Sequence, residues 1–135
     1  MRWLLIVAAL LLAALPEPRA GEPGDSIRAV IEAQLDALGA SDLEAAFAHA
    51  SPMIQSKFGS PENFGRMVRA GYPMIWRPAG YQMLDLVQTG RGPVQMVLFQ
   101  DQQGRFYQAA YEMTLVDGVW RIDGVYLGPS PGVAS

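Results

Sequence analysis

The sequence predicts an α+β fold in which N-terminal helices pack on one face of a curved, four-stranded antiparallel meander. Three observations carry that expectation. Apolar residues recur at helical spacing in the first half and with a period of two from Tyr81 onward. Turn chemistry at Gly90 to Pro93, Asp101 to Gly104 and Asp117-Gly118 divides the second half into strands at about 81–89, 94–100, 105–116 and 119–127. One face of the final hairpin is oily and the other polar, so helices are expected to cover the oily side.

The chain of 135 residues opens MRWLLIVAALLLAALPEPRAGEPGDS: Arg2, an apolar run from Trp3 to Leu15, Pro16, then Ala20 before Gly21. This is the layout of a cleaved secretory signal peptide. The run falls short of the roughly 18 to 20 residues that a spanning helix needs, which makes an uncleaved N-terminal anchor the weaker alternative. No cysteine is present, so lipid attachment behind the leader and a disulfide framework are both excluded. The expected organisation is a signal peptide over 1–20, a flexible linker over 21–25, a single domain over 26–127 and a disordered tail over 128–135. The expected location is exported, periplasmic or secreted, with no stable membrane anchor after cleavage. A formal net charge of -3 argues against a general electrostatic grip on nucleic acid.

In DSIRAVIEAQLDALG, Ile27, Val30, Ile31, Leu35 and Leu38 mark the buried stripe of the first helix. Asp25 or Ser26 can cap its start, and Gly39 suits a left-handed end. Ser41 and Glu44 have capping-box spacing at the head of a second helix with a stripe of Leu43, Ala46, Phe47 and Ala50. Ser51-Pro52 and Ser60-Pro61 each read as a cap followed by proline at the first helical position. They open PMIQSKF, ended by Gly59, and PENFGRMVRA, ended by Gly71. The segment RAGYPMIWRPAGY then crosses to the sheet, with Arg77 held extended by Pro78.

A type I′ loop at Asp117-Gly118 pairs Val116 with Val119 and sets the last register: Leu115 faces Trp120, Thr114 faces Arg121, Met113 faces Ile122 and Glu112 faces Asp123. The oily face is then Tyr107, Ala109, Tyr111, Met113, Leu115, Trp120, Ile122 and Tyr126. The preceding turn leaves open which face of residues 94–100 points inward, because two loop geometries give opposite answers.

The words IEAQLDAL, DLEAAFAHASPMIQSKFGSPENFGRMV, GRFYQAAYEM and DGVWRIDGVYL, with Tyr72-Pro73 and Arg77-Pro78, resemble domain of unknown function 4864, a family of small, mostly exported proteobacterial proteins. The order of helices and meander resembles the wider nuclear transport factor 2-like superfamily, the cystatin-like cone. The resemblance implies a fold and a compartment but carries over no activity or catalytic residue. In that superfamily the space between sheet and helices often serves as a ligand pocket, in isomerases, dehydratases and cyclases and in non-enzymatic members alike, and relatives often dimerise through the outer face of the sheet.

Candidate chemistry is sparse. Asp85 shares an alternating face with Tyr81, Met83 and Val87; pointing inward, it would be a general base with Tyr81, Tyr107 or Tyr111 as donors to an oxyanion. The plainer reading turns Leu84 and Leu86 inward and leaves Asp85 in water. Glu112 and Asp123, side by side on the polar face, read as a solvated or subunit-contact pair. His49, the single histidine, ends the second helix, as a capping or surface residue or as an acid-base partner to a pocket carboxylate. Without cysteine or further histidine no metal site is expected, and no cofactor. Tyr107, Tyr111 and Trp120 are core wall or cavity lining. Between Glu62 and Asp85 there is no acid, yet Arg66, Arg69 and Arg77 fall there beside Tyr72 and Trp76, with Tyr81 close by. That zone suits an anionic or planar ligand, or else is a solvated helix face.

The expected function is a non-enzymatic exported domain that binds a small molecule or a partner protein, with homodimerisation through the outer sheet face. The competing expectations are a cone-pocket isomerase or dehydratase working through Asp85 with Tyr111 or His49, and a purely structural subunit.

Overall fold

Serine hydroxyls set two of the helix starts as expected. In the computed structural model, which describes residues 23–129, Ser51 Oγ accepts from the Ile54 N–H and Ser60 Oγ from the Asn63 N–H. Pro52 and Pro61 then open α3 (Pro52–Phe58) and α4 (Pro61–Gly71), and Gly59 separates them at φ 82°. The expected signal peptide and residues 130–135 of the expected tail lie outside the described residues.

Helix α1 (Pro23–Gly39) begins ahead of Asp25 and Ser26, so residues 23–25 are helix rather than linker. It buries Ile27, Ile31, Leu35 and Leu38 as the spacing predicts. The left-handed residue after it is Ser41, at φ 59°, and not Gly39. With Ser41 committed to that turn, Asp42 caps α2 (Leu43–Ala48), accepting from the Ala45 N–H, and replaces the expected Ser41–Glu44 capping box. One further turn, α5 (Pro73–Trp76), stands where a continuous crossing was expected: Pro73 both follows one helix and opens the next. Arg77, before Pro78, is non-helical at φ -143° and ψ 75°, although short of the fully extended geometry anticipated.

The sheet runs β1 (Gly80–Thr89), β2 (Gly92–Gln100), β3 (Phe106–Val116) and β4 (Val119–Pro129), each antiparallel to its neighbour in chain order. β4 thus takes in residues 128 and 129 of the expected tail. Asp117 and Gly118 have φ 52° and 81°, and the pairs from Val116–Val119 to Met113–Ile122 match the register expected from that loop.

Two bulges then shift the alternation of inward and outward side chains. In β4 the next pair is Glu112 with Gly124, so Asp123 is the extra residue and is not opposite Glu112. Beyond it Val125 packs on the core while Tyr126 is 57% exposed, the reverse of the expected alternation. In β1 the ladder breaks between Met83 and Leu86, and both pack against the core, so neither alternating face of that strand holds throughout. The buried Gln95 side chain donates to the Leu84 carbonyl at 2.8 Å, satisfying backbone that the bulge takes out of the ladder. In β2 Gln95, Val97 and Phe99 point inward, which decides the face left open by its turn. Leu115, expected in the core, is 54% exposed because it lies at the hairpin tip, beyond the helices.

The core joins Ile27, Ile31 and Leu38 of α1 to Phe64, Ile75, Phe99 and Tyr111. The α2–α3 connection fastens this layer to the sheet. Ile122 N–H donates to the His49 carbonyl at 2.9 Å, Ser51 N–H donates to the Ile122 carbonyl at 2.8 Å, and Arg121 donates to the Ala48 carbonyl at 2.8 Å. These bonds also cover part of the free edge of β4.

Candidate functional site

Helix α3 carries Met53, Ile54 and Phe58, yet none of its residues is fully buried. Anchored at Ser51, it stands off the sheet and leaves a cavity of about 240 Å³ between α3, α4 and the β3–β4 ribbon. Ile54, Phe58, Phe64 and Val68 form the helical wall, and Tyr111, Ile122 and Val125 form the sheet wall. Met53, 54% exposed, and Tyr126 flank the side open to solvent.

Few polar groups reach this space. Lys57 and Asp123 both line it, and they form no ion pair with each other among the described residues. The β4 bulge brings Asp123 to the helices, where its Oδ1 accepts from Ser51 Oγ at 2.6 Å. Tyr72 donates weakly to the Val125 carbonyl at 3.5 Å. Tyr111 is fully buried, and its hydroxyl has no hydrogen-bond partner among the described residues. Burial, then the neighbouring Tyr81 and Tyr72, push its pKa far above the usual tyrosine value, so the group is a neutral donor and not a base.

A second concavity, of about 330 Å³, opens on the other side of α4, between α5 and the β2–β3 turn. Arg69, Trp76 and Arg77 form one wall; Arg105 and Tyr107 belong to the other. The Arg77 guanidinium lies 4.9 Å from the Trp76 ring centroid and that of Arg69 6.0 Å. Arg77 is fixed by donation to the Leu38 carbonyl at 3.0 Å and to Ser41 Oγ at 3.3 Å. Arg105 Nε donates to Asp101 Oδ2 at 2.9 Å. Burial works to raise the Asp101 pKa, but the N–H groups of Arg105 and Gln103 and the Arg105 guanidinium outweigh it and hold the carboxyl below its usual value.

The profile of the family Domain of unknown function (DUF4864) matches residues 21–135. The chain belongs to this family. No curated protein matches the chain in sequence. Among solved structures it is similar to an NTF-2 like protein of unknown function from Burkholderia xenovorans LB400, at 20% identity and a TM-score of 0.49, over 83% of this chain and 92% of that one. Since the DUF4864 description assigns no chemistry, the roles of its residues here rest on geometry.

The candidate residues separate into three groups. Tyr111 lines the first cavity, while Arg69, Trp76, Arg77 and Tyr107 meet at the second cleft. Asp85, His49, Tyr81, Trp120 and Arg66 line neither. Asp85 is exposed and Leu86 turns inward beside it, as in the plainer of its two readings. His49 is half-buried at the end of α2, its pKa lowered by burial and then by Arg121, so it favours the neutral form. Tyr81 packs on Phe99 at 6.0 Å between ring centroids, Trp120 packs on the core, and Arg66 donates to Asn63 Oδ1 at 2.6 Å. Sequence reasoning missed Lys57 and Arg105, and it read Asp123 as half of a solvated or subunit-contact pair with Glu112. Asp123 depends on the bulge, for which Gly124 inside a strand is the one local sign.

Proposed function

We propose that this is an exported, non-enzymatic domain that binds one compact, largely apolar molecule in the cavity between α3, α4 and the β3–β4 ribbon. The observation that carries the reading is Tyr111 in the lining of a mostly apolar cavity, its hydroxyl buried and without a hydrogen-bond partner among the described residues. Such a group costs stability unless something hydrogen-bonds to it, so a ligand acceptor at that point would recover the loss. The size of about 240 Å³ lies below the roughly 300–1,000 Å³ of drug-sized sites, which favours a small occupant. Asp123 and Lys57 would meet a polar end toward solvent. The leader pattern of residues 1–20 supports export. The non-enzymatic reading is favoured because Tyr111 is held neutral and Asp85 stands in solvent, which leaves the expected base-and-donor pair unassembled.

Native mass spectrometry of the protein isolated from its own cells tests this. A bound small molecule is expected, retained by wild type and lost from Ile54→Trp, in which the indole fills the cavity. An unliganded mass alone, with no thermal shift across a panel of small ketones, esters and phenols, would overturn the reading.

A further inference from the structure

Cleft residues Arg69, Trp76, Arg77 and Arg105 form a second constellation, separate from the cavity. The acids that usually neutralise arginine are missing from one wall: no Asp or Glu occurs between Glu62 and Asp85. On the other wall Asp101 is already committed, with Oδ1 accepting from the N–H groups of Gln103 and Arg105 and Oδ2 from Arg105 Nε. Arg69 makes no ion pair among the described residues, and its guanidinium lies 6.0 Å from the Trp76 ring centroid. Three guanidinium groups therefore share one carboxylate, a positive centre on a chain whose formal net charge is -3.

The positions are also prepared before any ligand arrives. Arg77 is held by three acceptors, Leu38 O, Trp76 O and Ser41 Oγ, and the Asp101 carboxylate steadies Arg105. Gln102 Nε2 donates to the Arg77 carbonyl at 3.0 Å and ties the two walls together. Little ordering entropy is then left to lose on binding. Arginine forks match carboxylates, and Arg69 and Arg105 stand on opposite walls with the rings of Trp76 and Tyr107 in the lining.

We infer that this cleft is a second binding site, for a short-chain dicarboxylate whose two ends meet Arg69 and Arg105 and whose methylene linker lies on the aromatic lining. A single inorganic anion fits less well, since it concentrates its charge at one centre and leaves the aromatic surface uncovered.

Calorimetric titration with glutarate at low ionic strength tests the assignment, with acetate and inorganic phosphate as parallel arms. Glutarate is expected to saturate one site and to bind at least tenfold more tightly than acetate or phosphate. Arg69→Gln should weaken it tenfold or more, with part of the loss restored in Arg69→Lys. Arg105→Gln also disturbs the Asp101 turn, so Arg69, which makes no ion pair among the described residues, is the deciding position. Tyr111→Phe should leave glutarate binding unchanged, which separates this site from the cavity. Absence of saturable heat, equal binding of phosphate, or indifference to Arg69→Gln would overturn the inference.

Discussion

Replacing Tyr111 by phenylalanine removes one oxygen from a side chain that is 0% exposed, and nothing else. The ring keeps its place beside Phe99, at 6.4 Å between centroids, so packing is conserved. The hydroxyl has no partner among the described residues, and an unsatisfied buried polar group costs about 1–3 kcal/mol. Tyr111→Phe should therefore raise the stability of the empty protein by about 1 kcal/mol or more. For a domain of this size that is an increase in Tm of roughly 4–8 °C per kcal/mol. Thermal and urea unfolding followed by circular dichroism measure it directly. The same variant should bind the cavity ligand more weakly, by about fivefold to tenfold for one lost hydrogen bond. Gain of stability with loss of binding is the pattern of a polar group kept for function. If Tyr111→Phe instead destabilises by about 1 kcal/mol or more, the hydroxyl is already satisfied by an internal water and offers nothing that a ligand need supply.

Three other outcomes are expected from the geometry. Ser51→Ala removes the α3 cap and the donor to Asp123 together and should cost about 1–3 kcal/mol in urea unfolding, whereas Ser60→Ala, losing only an exposed cap, should cost about 1 kcal/mol. The folded pKa of His49 lies below the ordinary histidine value of 6.5, so its contribution is intact above that pH and is lost as pH falls toward the folded value; the decline should vanish in His49→Gln. A Cβ at Gly65 would stand 2.6 Å from the Leu43 side chain, so Gly65→Ala should lose about 1 kcal/mol despite its better helix propensity, and Leu43→Ala in the same chain should make the change favourable.

Much of the fold was legible because local chemistry and tertiary packing agree. Ser51-Pro52 and Ser60-Pro61 name their helices without help from the rest of the chain, and Asp117-Gly118 fixes a hairpin register through its own backbone preference. What stayed hidden depends on counting across strands. A bulge adds a residue to one strand without leaving a periodic trace, so Asp123 was placed by an alternation that stops short of it, and neither alternating face considered for β1 holds along its length. The candidate site shared that fate. Tyr111 was visible as an inward aromatic and the arginines as an acid-free stretch, but Arg105 reaches them only through the β2–β3 turn, with two whole strands of sequence between. Ser41 shows the reverse error: its capping-box spacing was genuine, and the left-handed turn it had to make took precedence.

The extra residue in β4 sits at the mouth of the cavity. Were Asp123 deleted, the pairs Met113–Ile122, Glu112–Gly124 and Tyr111–Val125 would close into a regular ladder, Val125 would still face inward and Tyr126 outward, and only the carboxylate presented to Ser51 would be gone. The bulge therefore adds a polar group at the mouth of the cavity without disturbing which residues of β4 form its wall.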